Sequence, residues 1–441
     1  MDSLHFLIPL DIQTLHLHNW PHILTFLSII LILSLLTTIL TNYRPPLPSN
    51  APPLFQTSDW PILGSLRFFT DRYRFYNQGI LASKTGNFSF YFGKHHLVGL
   101  SGVEARKAFF EKKELNMTKG YAVFLTVTPP TPENSKPVKE MHYDLQDQWF
   151  ARYLFFFMKN ESLEKSMPLV VADVGSTLNT LATQCRASPA GESMTDPFDS
   201  IYRLFFQLTM RTLGISSWAS PSSPMLSKSL DWFETIDKST SPIRIIFPWL
   251  PTINHFRRMT ASAKLYFAVK DEFADRVNKG RREEDAMQHL MDNGEDAMKV
   301  LIFIIASLYA AHLNTSTMAC WLVVYLAVGN EEEGWYKLVR EEVDAALRKH
   351  RENEKQNTYL LDDVHVNPSI YPEPLRWDPG RYLPDRAEDK KEPLAFLGWG
   401  AGRHPCLGMR LAKLEIAILV ANLVGTFDFS LLLRSNQKPL M

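Results

Sequence analysis

Ten consecutive residues, Trp399-Gly400-Ala401-Gly402-Arg403-His404-Pro405-Cys406-Leu407-Gly408, carry the sharpest chemical signal in the chain. A glycine-rich loop delivers one cysteine, and a helical pattern over 409–423 starts directly behind it. A sulfur just ahead of a helix start lies at the positive end of the helix dipole. Its pKa is therefore expected to fall, and backbone N–H groups to point at it. The glycines let the backbone pass close to something large and flat. Arg403 and His404 add positive charge or donors for acidic groups on such a ligand. One thiolate, a tight loop and cationic donors suit an iron porphyrin held by an axial cysteine. Cys406 alone would read as a buried structural thiol; the loop around it favours the ligand reading.

A second group, Ala311-His312-Leu313-Asn314-Thr315-Ser316, interrupts an apolar run with no charged residue from 300 to 330. Length and apolarity alone would make this run a membrane span. Polar residues at its centre instead fit a long helix buried inside a soluble domain and lining a cavity. Residues four apart share a face, so Ala311 and Thr315 align. A threonine hydroxyl there either bonds its own helix backbone or passes protons to a reacting group.

The elements that must position these groups are mostly helical by pattern. Helices are expected over 103–112, 155–184, 197–213 with Asp196 as cap, 261–281 and 335–351. Phe88-Ser89-Phe90-Tyr91-Phe92 alternates, Gly93-Lys94 turns, and 97–100 returns, which reads as a hairpin. Residues 281–285 read as a solvated charged surface, and 242–251 as an apolar, proline-rich loop. Residues 23–40 are nearly all apolar, about the eighteen of a membrane-spanning helix. A cleaved signal peptide fits less well, because Asp2 and Asp11 precede the run with no Lys or Arg, and no small-x-small cleavage site follows. Pro45, Pro46, Pro48, Pro52 and Pro53 then make a stiff linker over 44–53. Equal numbers of basic and acidic residues, 47 each, leave no global field to recruit nucleic acid. Three cysteines make no disulfide framework.

The loop at Cys406 resembles the cysteine-ligand loop of the cytochromes P-450: Phe, two residues, Gly, one residue, Arg or His, one residue, Cys, one residue, Gly. Gly402, His404, Cys406 and Gly408 match, Trp399 stands at the Phe position, and His at the Arg position is also the choice of the sterol demethylase branch. The stretch 311–316 resembles the family's oxygen-activating segment, with Thr315 on the threonine, Asn314 on the usual acid and His312 on the usual glycine. The resemblance covers about residues 54–435. It implies a mainly α fold with small β-sheets, the cytochrome P-450 fold behind one N-terminal transmembrane helix. The domain order would be an anchor over 1–43, the linker, and a haem-binding monooxygenase domain over 54–441. Cys406 would be the axial iron ligand. Arg403, His404, Trp399, Gly402 and Gly408 would bind the haem, and Thr315 with Asn314 would shuttle protons.

An NADPH-dependent reductase would have to supply electrons, since no flavin or nicotinamide fingerprint stands in the chain. The other partners would be O2, a lipophilic small molecule and membrane lipid, with no nucleic acid. The localisation would be the endoplasmic reticulum, with the catalytic domain cytosolic. A sterol, terpenoid, fatty acid or polyketide substrate is allowed, and the style is that of fungal members in secondary-metabolite pathways.

The sequence departs from the family in one respect. Leu360-Leu361-Asp362-Asp363 runs straight into Val364-His365-Val366-Asn367-Pro368, with no Glu-x-x-Arg helix between. Glu373 and Arg376 have that spacing only by coincidence, because Pro374 lies between them. Arg381, which normally joins the missing Glu and Arg in an ionic network, is therefore expected to be exposed or differently paired. The stretch after Phe427 is also shorter than the family's. A truncated, non-catalytic member is the alternative these departures allow.

Overall fold

The computed structural model of the chain describes residues 20–41, 44–55, 60, 63–115, 120, 143–187, 193–239, 252–328, 334–352, 371–373 and 376–430. The proline loop over 242–251 and the junction at Asp363 lie outside the described residues. The chain divides into two units, residues 1–105 with 241–250, and residues 106–240 with 251–441.

The first unit opens with helix α1 (Trp20–Thr41), whose Leu24, Phe26, Leu31, Ile32 and Leu33 side chains are all exposed. Helices α2 (Arg67–Thr70) and α3 (Arg72–Leu81) precede an antiparallel hairpin of β1 (Phe88–Phe92) and β2 (His95–Gly99), with Phe88 paired to Gly99 and Phe92 to His95. Gly93 makes the turn at φ +55°. The alternation in β1 predicts a half-buried strand, yet all five residues are buried. Phe88 and Phe90 pack with Phe55 and Phe75 on one side. On the other, residues 45–55 run along the strand: the Tyr91 hydroxyl donates to the Pro45 carbonyl at 2.8 Å, and the Ser89 N–H to that of Pro53 at 2.9 Å. The end of the proline stretch is thus tied to the sheet rather than held away from it. Gly79 and Gly99 leave room for the Phe88 ring, which a Cβ on either would meet at 2.5 Å or less.

Helix α4 (Val103–Glu111) leads into the second unit. There follow α5 (Tyr143–Phe157), α6 (Asn160–Ala187), α7 (Pro197–Leu213), α8 (Pro224–Lys238), α9 (Ile253–Lys279) and α10 (Ala286–Asp292). The apolar rod is α11 (Ala297–Ser307), one π-turn (Leu308–His312) and α12 (Leu313–Val328). Helix α13 (Trp335–Glu352), a two-residue-strand hairpin of β3 (Gly400–Ala401) and β4 (His404–Pro405), and α14 (Met409–Thr426) complete it. Asp196 caps α7 as expected, accepting from the Phe198 N–H.

The rod Ala297–Val328 is long and apolar enough to cross a membrane. Packing explains its composition instead. Its first half sends Val300, Leu301, Phe303, Ile304 and Leu308 into one core cluster, and its second half sends Ala319, Cys320, Val323 and Leu326 into another. Helix α7 works the same way, with Phe206, Met210 and Leu213 in the first cluster and Ile201, Leu204, Phe205 and Leu208 in the second. A helix apolar on nearly every face is what a bundle centre requires.

The charged run over 281–285 is only in part the solvated surface expected: Arg282 and Glu284 are exposed, but Asp285 is buried. Arg276 is fully buried and makes two 2.7 Å bonds to Asp285, with Glu272 at 3.0 Å and Glu283 at 3.2 Å. Asp285 also caps α10 through the Gln288 N–H and accepts from the Ser216 N–H. Gly280, at φ +61°, ends α9 and turns the chain back so that these acids face Arg276. Hydropathy alone could not separate this folded-back cluster from a wet one.

Removing one partner from a buried pair leaves an uncompensated charge. Asp285→Ala is expected to lower unfolding free energy by about 3–5 kcal/mol, read from urea melts; a loss of about 0.5 kcal/mol or less, the size of an ordinary surface change, would show the cluster to be inessential.

Candidate haem site

The cysteine loop is built by backbone bonds that no side chain has to supply. The Cys406 N–H donates to the Trp399 carbonyl at 2.7 Å, closing the β3–β4 hairpin, and the Gly400 N–H reaches the Leu397 carbonyl at 2.9 Å. Gly400 and Gly402 sit at φ +67° and +54°. A Cβ on Gly402 would lie 2.6 Å from the Phe110 carbonyl oxygen, which also accepts from the Arg403 N–H at 2.9 Å. The hairpin tip is therefore seated on α4, and Gly402 is required by that close approach. Arg410, in the first turn of α14, donates to the Met158 carbonyl at 3.3 Å and to Asn160, tying that turn to the α5–α6 corner. Lys413 lies over the Trp399 ring at 5.4 Å.

Trp399, Gly402, Arg403, His404, Cys406 and Gly408 thus share one hairpin and helix start. Cys406 is exposed, and the N–H groups of Gly408 and Met409 point at its sulfur, as the sequence predicts. The predicted fall in pKa does not follow. Loss of water around the thiol pushes its pKa up, and the backbone donors only partly offset that. Arg403 is exposed and His404 partly so. A Cβ on Gly408 would meet nothing within 4 Å.

An iron porphyrin fits this arrangement. It needs a sulfur with a free side, backbone donors to disperse thiolate charge, space for a flat face and cations for carboxylates. A coordinating metal also deprotonates a thiol outright, so the raised pKa of the free form is no obstacle. Among the described residues no group of three or more His, Cys, Asp or Glu side chains is placed to hold a metal ion.

The neighbours of both motifs pack on one large core cluster. Ala311 and Leu313, beside Thr315, and Leu407, beside Cys406, pack on the core cluster that contains Leu308 and Leu411. Thr315 is buried. Ser316 and Thr317 return their hydroxyls to the Leu313 carbonyl at 3.4 and 2.7 Å; no such bond is made by Thr315 among the described residues. Asn314 departs from the expected role. It is exposed and donates its amide to the Ala310 carbonyl at 2.9 Å, so its side chain is spent on its own helix.

Arg381 is buried, not exposed. Its guanidinium donates to the Asp378 carbonyl at 3.0 Å and the Arg376 carbonyl at 2.9 Å, and lies 5.6 Å from the Tyr371 ring centre. The differently paired alternative holds: carbonyl oxygens of the surrounding turn receive it. Glu373, at φ +48°, sits in a bend, and its carboxylate accepts from the Arg376 guanidinium at 3.4 Å, so the two are paired there.

Sequence reading missed Phe110, Arg410 and Glu415. The first two act across long separations and leave no local pattern. Glu415 did leave one, since it shares the apolar stripe Leu411, Ala412, Ile416, Leu419 of α14. It is buried with one carboxylate oxygen unpartnered, and burial pushes its pKa up to about 8.

The family profile described as Cytochrome P450 matches residues 358–441. "Cytochrome P450 monooxygenase AacuE" of Aspergillus aculeatus is 26% identical, covering 92% of this chain and 90% of that one. "Cytochrome P450 monooxygenase nsrP" of Aspergillus novofumigatus is also 26% identical, over 88% and 85%. An "Obtusifoliol 14-alpha demethylase" of Sorghum bicolor is 27% identical over 45% of this chain and 52% of its own length. In fold, the chain is similar to "Retinoic acid bound cyanobacterial CYP120A1", with a TM-score of 0.63, 18% identity, and coverage of 87% and 93%.

Glu415 predicts a pH dependence. The folded chain keeps this proton up to about pH 8, whereas an unfolded carboxyl releases it near its ordinary 4.5. Its contribution is complete below the unfolded value and is lost as pH rises between the two, by roughly 1.4 kcal/mol per unit at most. Glu415→Gln should therefore gain stability over the parent as pH rises, read from urea midpoints at a series of pH values. Parallel curves would mean that the carboxyl finds a partner.

Proposed function

We propose that the chain is a cytochrome P450 monooxygenase, membrane-anchored and oxidising a lipophilic small molecule in fungal secondary-metabolite or sterol chemistry; what supports this is its similarity to named monooxygenases of that family along most of its length. The observation that carries the site is Cys406, presented on a closed hairpin with the Gly408 and Met409 N–H groups aimed at its sulfur. When bound, the haem supplies the iron centre at which dioxygen is activated. Cys406 would hold it through Sγ, Arg403 and His404 would bind its acidic side groups, and Trp399, Gly402 and Gly408 would shape the loop that receives it.

Thr315 holds and releases a proton on the buried side of the rod. Its hydroxyl is suited to that because, among the described residues, it makes no bond back to its own helix as those of Ser316 and Thr317 do. Asn314 keeps the first turn of α12 in register through Ala310. Electrons come from an NADPH-dependent reductase. Exposed α1 is the membrane anchor, with the rest of the chain in the cytosol at the endoplasmic reticulum. Removing residues 1–43 should move the protein from the membrane pellet to the soluble fraction; persistence in the pellet would point to another attachment.

A second reading, a non-catalytic member, is favoured by the absence of a Glu-x-x-Arg helix between Asp363 and Val364. One experiment separates the two. With reductase, NADPH and labelled dioxygen, a panel of sterols, fatty acids and aromatic polyketides should yield one product carrying a single labelled oxygen. Cys406→Ser should abolish it, and Thr315→Ala should lower product per NADPH by about tenfold or more. Haem-loaded protein that consumes no NADPH with any of them would favour the second reading.

A further inference from the structure

His312 is fully buried in the rod, and neither of its ring nitrogens has a partner among the described residues. Its ring lies 4.3 Å from that of Tyr202, 5.5 Å from Phe206 and 5.8 Å from Phe233, centre to centre. Burial in this cage lowers its pKa to about 3, so the ring is neutral. A neutral imidazole has one donor and one acceptor to satisfy, and buried polar groups left without protein partners are commonly met by internal water.

Two further features sit at the same place. The Leu313 N–H reaches back to the Leu308 carbonyl across the π-turn, which widens the helix; such turns concentrate at functional sites. Ser307, one π-turn before His312, also has a buried hydroxyl with no partner among the described residues. Of the rings around His312, that of Tyr202 stands within the field of further titratable groups. Tyr202 feels the charges of Glu234 and Asp237 on α8, and Tyr309 on the π-turn. Burial raises the pKa of Asp237, and Lys238, Arg258 and Glu234 act on it. Glu234 reaches solvent beside Lys238. Inward, His312 precedes Thr315 by three residues and so lies on the adjoining face.

We propose that the π-turn is a hydrated proton entrance, in which water bound by His312 and Ser307 passes protons from Glu234 and Asp237, by way of Tyr202, to His312 and on to the Thr315 hydroxyl. In each hop one O–H or N–H bond breaks as another forms. No electron moves, and solvent at Glu234 replaces the proton delivered. The entrance supplies what Asn314 cannot, because that amide has no acidic proton and is bonded to Ala310. Its use rests on the monooxygenase reading; the bound water does not.

The test therefore has two arms. In the full chain, with or without haem, nitrogen-15 spectra and a high-resolution crystal structure should place water within hydrogen-bond reach of His312 and show exchange between the ring N–H and solvent. A dry cage overturns the proposal. In the haem-loaded enzyme with a microsomal reductase and no added substrate, NADPH consumption is measured in light and heavy water. His312→Phe should slow it by about tenfold and raise the solvent isotope effect, with Tyr202→Phe acting in the same direction. His312→Gln, which still binds water, should recover most of the rate. A His312→Phe enzyme with normal haem content, rate and isotope effect would also overturn the entrance. A chain that takes up no haem would sink the monooxygenase reading, while the water arm would still decide the site.

Discussion

The structure depends on keeping one sulfur presented at the start of a helix without burying it. Three constraints meet at Cys406. Its own N–H is bound to Trp399, the N–H groups ahead of α14 point at Sγ, and the hairpin tip is pressed against the Phe110 carbonyl. Backbone donors and glycines do nearly all of this work. Side chains around the loop, Arg403 above all, are thereby left available to a ligand. Loss of water still raises the pKa of the free thiol, so a bound metal would be needed to complete the thiolate.

The rest of the second unit serves that loop from behind. Helix α14 carries Leu411 into one core cluster and Ile416, Leu419 and Val420 into the other. The rod Ala297–Val328 spans the same two clusters. The same two clusters therefore hold the helix behind the cysteine loop and the rod that carries Thr315. Arg381 shows how a departure from the family can be absorbed. Its guanidinium is held by the carbonyls of Arg376 and Asp378 and the face of Tyr371, so its burial does not depend on the Glu-x-x-Arg helix that the sequence lacks.

Local features were readable from residues alone. The hairpin over 88–99, the Asp196 cap, the helix behind Cys406 and the buried rod each follow from a short-range pattern. Features that need the chain to fold back were not. The run over 281–285 looked solvated because its partner, Arg276, lies across the turn at Gly280. Asn314 sits where the family carries an acid, but only the structure shows its amide turned to Ala310. The dipole argument for Cys406 gave the direction of the N–H groups correctly and the pKa wrongly, because desolvation at the loop outweighs the donors.

The most direct test is the spectrum of the reduced, carbon monoxide-treated protein. Iron held by the Cys406 thiolate predicts a red-shifted Soret band that disappears in Cys406→His while haem is still bound. A band at the ordinary position of a histidine-ligated haem in the parent protein, unchanged by that substitution, would mean that this sulfur does not hold the iron.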